Sequence, residues 1–160
     1  MDAQATTRKI YRFEEIDWHV PVAAGTDPEK AAEAGRQGAG RKFLAQGDAG
    51  FFTQIVRIPP GFEAPVHHHD HAEVFLVLEG SCTFDGQPMG KWDLTVVEAD
   101  QPYGFVAGPD GLHFLVVRGA VAGFTEVATQ GSADRTDWAA GPPSRRQEQA
   151  DSERPSGSEP

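Results

Sequence analysis

Four of the six histidines fall in the run His67-His68-His69-Asp70-His71, and Glu73 follows two residues later. Imidazole and carboxylate are donors for a non-haem metal ion. Two histidines and one carboxylate with open positions suit Fe(II) and its oxygen chemistry, and Zn, Ni, Mn and Cu accept the same set. Side chains alternate faces along a strand. His67 and His69 therefore point one way and His68 the other. Asp70-His71-Ala72 is short and polar enough to turn the chain, so Glu73 opens the next strand. If the two strands are neighbours, two imidazoles and a carboxylate converge. The competing reading is a solvated histidine-rich loop or a tag. The internal position and the flanking strand-like runs argue against a tag. A plain loop gives no use for Gly61, Glu73 and Gly80 at their spacing.

The elements that must position these residues are short strands punctuated by Gly and Pro. Residues 51–58 form a strong β run closed by Pro59-Pro60-Gly61. Strands are expected over 74–78, 81–84, 94–97, 103–106, 112–117 and 124–127, with turns at Asp85-Gly86 and Gly108-Pro109-Asp110-Gly111. Such spacing reads as an all-β sandwich or barrel. Upstream, a strand is expected over 8–13 and a helix over 27–36, capped by Thr26 or Asp27 with Pro28 in its first turn. Tyr11, Phe13, Ile16, Trp18 and Val20 need a surface to cover, either the domain edge or a partner subunit. Residues 129–160 hold one large apolar residue, Trp138. They bury too little to offset the entropy of ordering, and a disordered tail is expected. The chain thus divides into an arm with a short helix (1–40), a β domain (41–128) and the tail.

Composition narrows the function classes. The 160 residues include 18 Gly and 12 Pro, which disfavours a helical bundle. The formal net charge of −10 opposes binding to nucleic acid or anionic lipid, both of which need a basic surface. Cys82 is the only cysteine, so no intrachain disulfide can form. It is centred in an apolar run and reads as an inert buried thiol rather than a nucleophile. No stretch approaches the roughly 18–20 apolar residues of a membrane span. The polar N-terminus lacks the apolar core of a signal peptide. A cytoplasmic protein is the expectation.

The spacing around the histidines resembles a known family. Gly61, five residues, His67, one residue, His69, three residues, Glu73, six residues, Gly80 is the first motif of the cupins, position for position. The resemblance covers about residues 45–128. A second motif, Gly-x5-Pro-x-Gly-x2-His-x3-Asn, is met only in layout. Trp92 stands for its first Gly, Glu98 for the Pro, Asp100 for the second Gly, Tyr103 for the His and Ala107 for the Asn. The resemblance implies a double-stranded β-helix, or jelly-roll barrel. It also implies one divalent metal per chain, with iron favoured and Zn, Ni or Mn as alternatives. His67, His69 and Glu73 are the implied ligands, and a homodimer is the implied assembly.

Two further residues are candidates for catalysis. Tyr103 is a phenolate ligand, a hydrogen-bonding partner of metal-bound water or substrate, or a core tyrosine. His113 shares a strand face with Leu115 and Val117. It reaches the site if that face is interior and is a partly exposed strand histidine otherwise. Phe75 and Val77 beside Glu73, Phe105 beside Tyr103, and Cys82 with Phe84 line an apolar interior suited to a small apolar or aromatic substrate. The expected function is a metal-dependent dioxygenase-type oxidoreductase. The alternatives are an isomerase, cyclase or lyase using the metal as Lewis acid, or a non-enzymatic ligand-binding barrel.

Overall fold

Along residues 51–58 the side chains at 54, 56 and 58 are buried and those between them are not. This period of two is what a strand with one face on a core requires. The same logic builds most of the molecule. The computed structural model describes residues 8–20, 28–120 and 125–126. The strands are β1 (Gly40–Asp48), β2 (Phe51–Ile58), β3 (Glu63–His68), β4 (Glu73–Phe84), β5 (Gln87–Met89), β6 (Leu94–Val97), β7 (Tyr103–Arg118) and β8 (Thr125–Glu126). One helix, α1 (Pro28–Arg36), and a 3-10 turn at Phe13–Glu15 precede them. The expected tail, the expected cap residues Thr26 and Asp27, and the ends of the expected strand over 124–127 lie outside the described residues.

The strands form an antiparallel jelly-roll barrel, as expected. β7 is its spine. Its C-terminal half pairs with β2 and with the start of β4, and its N-terminal half pairs with β3 and the end of β4. β5 and β6 pair with β4. The barrel interior is aromatic. The Phe75 and Phe114 rings stack with centroids 4.2 Å apart, and Phe84 stacks on Tyr103 at 5.0 Å. Fully burying such a side chain is worth about 1.5–3 kcal/mol.

Three expectations about elements change. The strands expected over 74–78 and 81–84 are one strand, β4, and those over 103–106 and 112–117 are one strand, β7. Gly108–Gly111 is no hairpin turn. It bulges out of the β4–β7 ladder between the pairs Cys82↔Ala107 and Gly80↔Leu112. Residues 8–12 form no strand. Lys9 and Tyr11 are tethered to Asp48 by their side chains. β1 and β5 are not legible in the sequence, because Arg41-Lys42 interrupts any clean alternation and β5 has only three residues.

The apolar arm residues cover the barrel's own wall. The Phe13 and Trp18 rings meet edge to face at 5.8 Å. The Arg57 guanidinium lies 4.1 Å from the Trp18 ring, and the Lys42 ammonium 3.7 Å from that of Phe13. Trp18 is half-buried by these contacts, whereas Phe13 stays 38% exposed.

Candidate metal centre

β3 and β7 are neighbours, and His67 is paired with Tyr103 across them. Their rings lie 4.4 Å apart. His69 follows in the connection to β4, where its carbonyl accepts the Asp100 N–H at 2.7 Å. Glu73 opens β4, directly opposite Arg118 on β7. His67, His69, Glu73 and Tyr103 are all buried. The four residues are brought to one end of the barrel, but by another route than direct pairing of the two strands. β3 and β4 are not paired with each other. Each pairs with β7, and the connection between them folds His69 back toward Glu73.

The proton positions follow from the partners. The His67 Nδ1 lies 2.7 Å from the Pro65 carbonyl. A carbonyl only accepts, so Nδ1 carries the proton and Nε2 keeps its lone pair. Burial pushes the His67 imidazole below its ordinary pKa, so the ring is neutral. His69 Nε2 lies 3.0 Å from an Arg118 terminal nitrogen, which only donates, so this nitrogen is also unprotonated. Glu73 Oε1 accepts the Tyr103 hydroxyl at 2.5 Å, and Oε2 accepts Arg118 Nε at 2.6 Å. Burial alone would push the Glu73 carboxyl up. Arg118 first, with the Tyr103 hydrogen bond, outweighs it and holds the group below its usual range. Tyr103 is held well above the ordinary phenol value, by burial first and then by the adjacent carboxylate.

The donor set fits a divalent metal in kind, with two imidazoles bearing Nε2 lone pairs and one ionised carboxylate. The side chains are not closed around a single point. Among the described residues no three His, Cys, Asp or Glu side chains are grouped to hold an ion. Arg118 stands between two of the three. Its guanidinium bridges His69 Nε2 and Glu73 Oε2, which stand 3.9 Å apart.

The other histidines of interest are elsewhere. His68 points away from the site, with Nδ1 3.5 Å from Asp100, as the alternation of faces predicts. His71 pairs with Asp70 at 3.0 Å on the surface. His113 takes the outer of its two expected positions, 3.5 Å from Glu79 and edge-on to Trp18. It is not beside His67, His69 and Glu73, because Leu112, Phe114 and Val116 take the inward places on β7. Cys82 is buried, and burial, then Asp93, raises its thiol to about 11, in line with an inert group.

His113 offers a pH test of its placement. Partial burial, then Arg57, lowers its pKa, against the pull of Glu79. The folded state therefore resists its protonation. Its share of stability is whole above about pH 6.5 and is lost as pH falls from there through the lower folded value. In an NMR titration His113 should titrate below 6.5, and Arg57→Met should raise the value. A midpoint at or above 6.5 in the native chain would contradict the outer-face environment.

A small cavity of about 40 Å³ opens beside Tyr103, His67 and His69. A single water needs roughly 10–15 Å³ of such space, so the cavity takes a group of only a few heavy atoms. Phe62, Phe105 and Phe114 line it, as do Arg41, Gln54 and Arg118. Arg41 is buried on β1 and donates to Gln54 Oε1 at 3.2 Å. Sequence reasoning misses these two polar residues. No local motif marks either one, and the pairing of β1 with β2 brings Arg41 to Gln54.

The glycine positions of both motifs share one backbone property. Gly61 and Gly80 have φ of 69° and 74°, and Trp92 and Asp100, standing for the glycines of the second motif, have φ of 74° and 61°. Left-handed backbone at two non-glycine residues is uncommon. Ala49 and Asp85 adopt it as well. The profile of the ChrR cupin-like domain matches residues 19–98, half of the 160-residue chain. The chain belongs to this cupin family.

Known proteins resemble this cupin to different depths. The dimethylsulfoniopropionate lyase DddW of Ruegeria pomeroyi is 33% identical over 100 residues, 60% of this chain and 64% of that protein. The cupin thus matches less than two thirds of that relative's length. The polyketide cyclase RemF of Streptomyces resistomycificus superposes with a TM-score of 0.59 at 20% identity, covering 78% of this chain and 89% of RemF. Oxalate decarboxylase of Bacillus subtilis, a protein with Mn(II) centres, superposes at 0.57 and 15% identity, covering 79% of this chain and 34% of that one. At such identities the structural likenesses establish the fold.

Proposed function

We propose that this cupin is a metal-dependent enzyme acting on a small organic molecule, with His67, His69 and Glu73 as the protein ligands of one divalent ion. The observation that carries the reading is the burial of two lone-pair-bearing imidazoles and one ionised carboxylate beside an apolar cavity. A bound metal would supply Lewis-acid polarisation of a substrate oxygen. The chain's own residues do the rest. The Tyr103 hydroxyl donates to Glu73 Oε1. A substrate oxygen that displaces that contact receives the hydrogen bond instead. Phe62, Phe105 and Phe114 face an apolar part of the substrate, and Arg41 with Gln54 faces a small polar or anionic group.

Lyase or cyclase chemistry is the preferred class. Its support is the lyase relative at 33% identity, together with a buried hydroxyl placed to handle a proton. Dioxygenase-type oxidation is the second reading. A ligand set without a fourth histidine leaves positions open for substrate and oxygen, which favours it.

Elemental analysis of untagged protein, prepared without chelator, tests the metal reading. About one metal per chain is expected. His67→Ala with His69→Ala should abolish uptake, and His68→Ala should leave it intact. Equal loss from His68→Ala would overturn the assignment of faces, and no uptake by the native chain would leave a ligand-binding barrel. The loaded protein is then assayed for cleavage of dimethylsulfoniopropionate and for oxygen uptake with small phenols and diketones. Cleavage without oxygen consumption supports the lyase class, and substrate-dependent oxygen uptake supports the dioxygenase.

A further inference from the structure

Arg118 is the residue that the proposed function does not use. It stands opposite Glu73 in the β4–β7 ladder, so strand register places it at the ligand set. Its side chain is 14% exposed, and that of Glu73 1%. The guanidinium takes the Glu73 Oε2 lone pairs through Nε and a terminal nitrogen, at 2.6 and 2.5 Å, and the His69 Nε2 lone pair at 3.0 Å. These are the lone pairs that a metal would need. A guanidinium and a divalent ion cannot share them, because each satisfies them with positive charge along the same directions.

We propose that Arg118 is a built-in competitor for the metal: it neutralises Glu73 and occupies His69, and an ion must displace it to bind. The inference rests on the metal-dependent reading above. It makes Arg118 a determinant of which ions load and how tightly. A singly charged ion gains too little from one carboxylate to displace a hydrogen-bonded guanidinium, whereas a divalent ion of imidazole-seeking type gains more. Arg118 lines the cavity, as does Arg41.

The test is metal affinity, read without any enzyme assay. Zn(II) and Mn(II) are titrated by calorimetry into chelator-treated native protein and into Arg118→Gln and Arg118→Lys. Removing the competitor should tighten binding by about 10–100-fold, the range over which residues surrounding the ligands tune metal sites. Arg118→Lys, which keeps the charge but not the forked contacts, should fall between. His67→Ala in the Arg118→Gln background should abolish the gain. Should Arg118→Gln fail to fold, the native chain still decides the matter. The Arg118 Nε–H resonance, protected by its bond to Glu73, should move or vanish as Zn(II) is added. Equal affinity in native protein and both variants, or an Arg118 resonance unmoved by bound Zn(II), would overturn the competitor role and leave the metal site standing. Failure of native protein and variants alike to bind either ion would overturn the metal reading and this inference together.

Discussion

Gly80→Ala should leave little folded protein. Gly80 lies where β4 crosses the bulge of β7, with φ of 74°. A Cβ there would sit 2.0 Å from the Gly111 carbonyl oxygen and 2.9 Å from its carbon. Both are backbone atoms, and Gly111 is itself confined, since a Cβ on it would meet the Ile58 carbonyl at 2.8 Å. Relief therefore requires β4 and β7 to separate along the ladder that holds the barrel together. A loss above about 4 kcal/mol is expected, a large share of the roughly 5–15 kcal/mol that stabilises an ordinary domain. Gly86→Ala is the control. Gly86 has φ of 78°, but a methyl group there would meet nothing within 4 Å. The change should cost only the left-handed strain of about 1–2 kcal/mol. Urea unfolding of the two variants measures the difference. Equal midpoints would mean that the Gly80–Gly111 contact does not limit stability.

Glu73→Ala should be the most damaging change within the site. It strands the Arg118 guanidinium, which is largely buried, and removes the acceptor of the buried Tyr103 hydroxyl. Breaking a buried pair from one side costs about 3–5 kcal/mol, because the surviving charge is left uncompensated. Replacing both partners with apolar residues of similar size, Glu73→Met with Arg118→Leu, should recover most of that loss, since two desolvated charges vanish together. Both proteins should fail to take up metal. The double variant thereby separates the structural role of the pair from its chemical one. Chemical denaturation alongside metal analysis provides the check. A double variant no more stable than Glu73→Ala would mean that the ion pair itself, and not the stranded charge, carries the stability.

The residues that resemble the cupin motif were legible because that pattern is local. The two-residue period of a strand turns His67 inward and His68 away, and the connection after β3 carries His69 back to the same side. The spacing to Gly61 and Gly80 marks tight backbone, and both adopt left-handed φ. The strand over 51–58 and the strand over 94–97 were legible for the same reason, since each alternates or runs apolar between clear breakers. Trp92 and Asp100 hid the second motif. They lack the glycine that normally announces left-handed backbone, yet they adopt it.

The remainder depended on pairing between distant segments, about which local period says nothing. Gly108-Pro109-Asp110-Gly111 has every mark of a hairpin turn, but β4 supplies ladder partners on both sides and holds the strand on course. His113 and Phe114 are equally plausible inward residues until the bulge at 108–111 sets the phase of β7, which sends His113 out to Trp18 and Phe114 in to Phe75. Arg41 turns inward only because β1 pairs with β2. Arg118 lies 45 residues from Glu73 in sequence, and nothing near either residue signals that a cation will meet the carboxylate. Alternation along a strand is a property of its own backbone, so it identifies the donors. Which charge stands opposite those donors is a property of register, and register is set by the packing of the whole barrel.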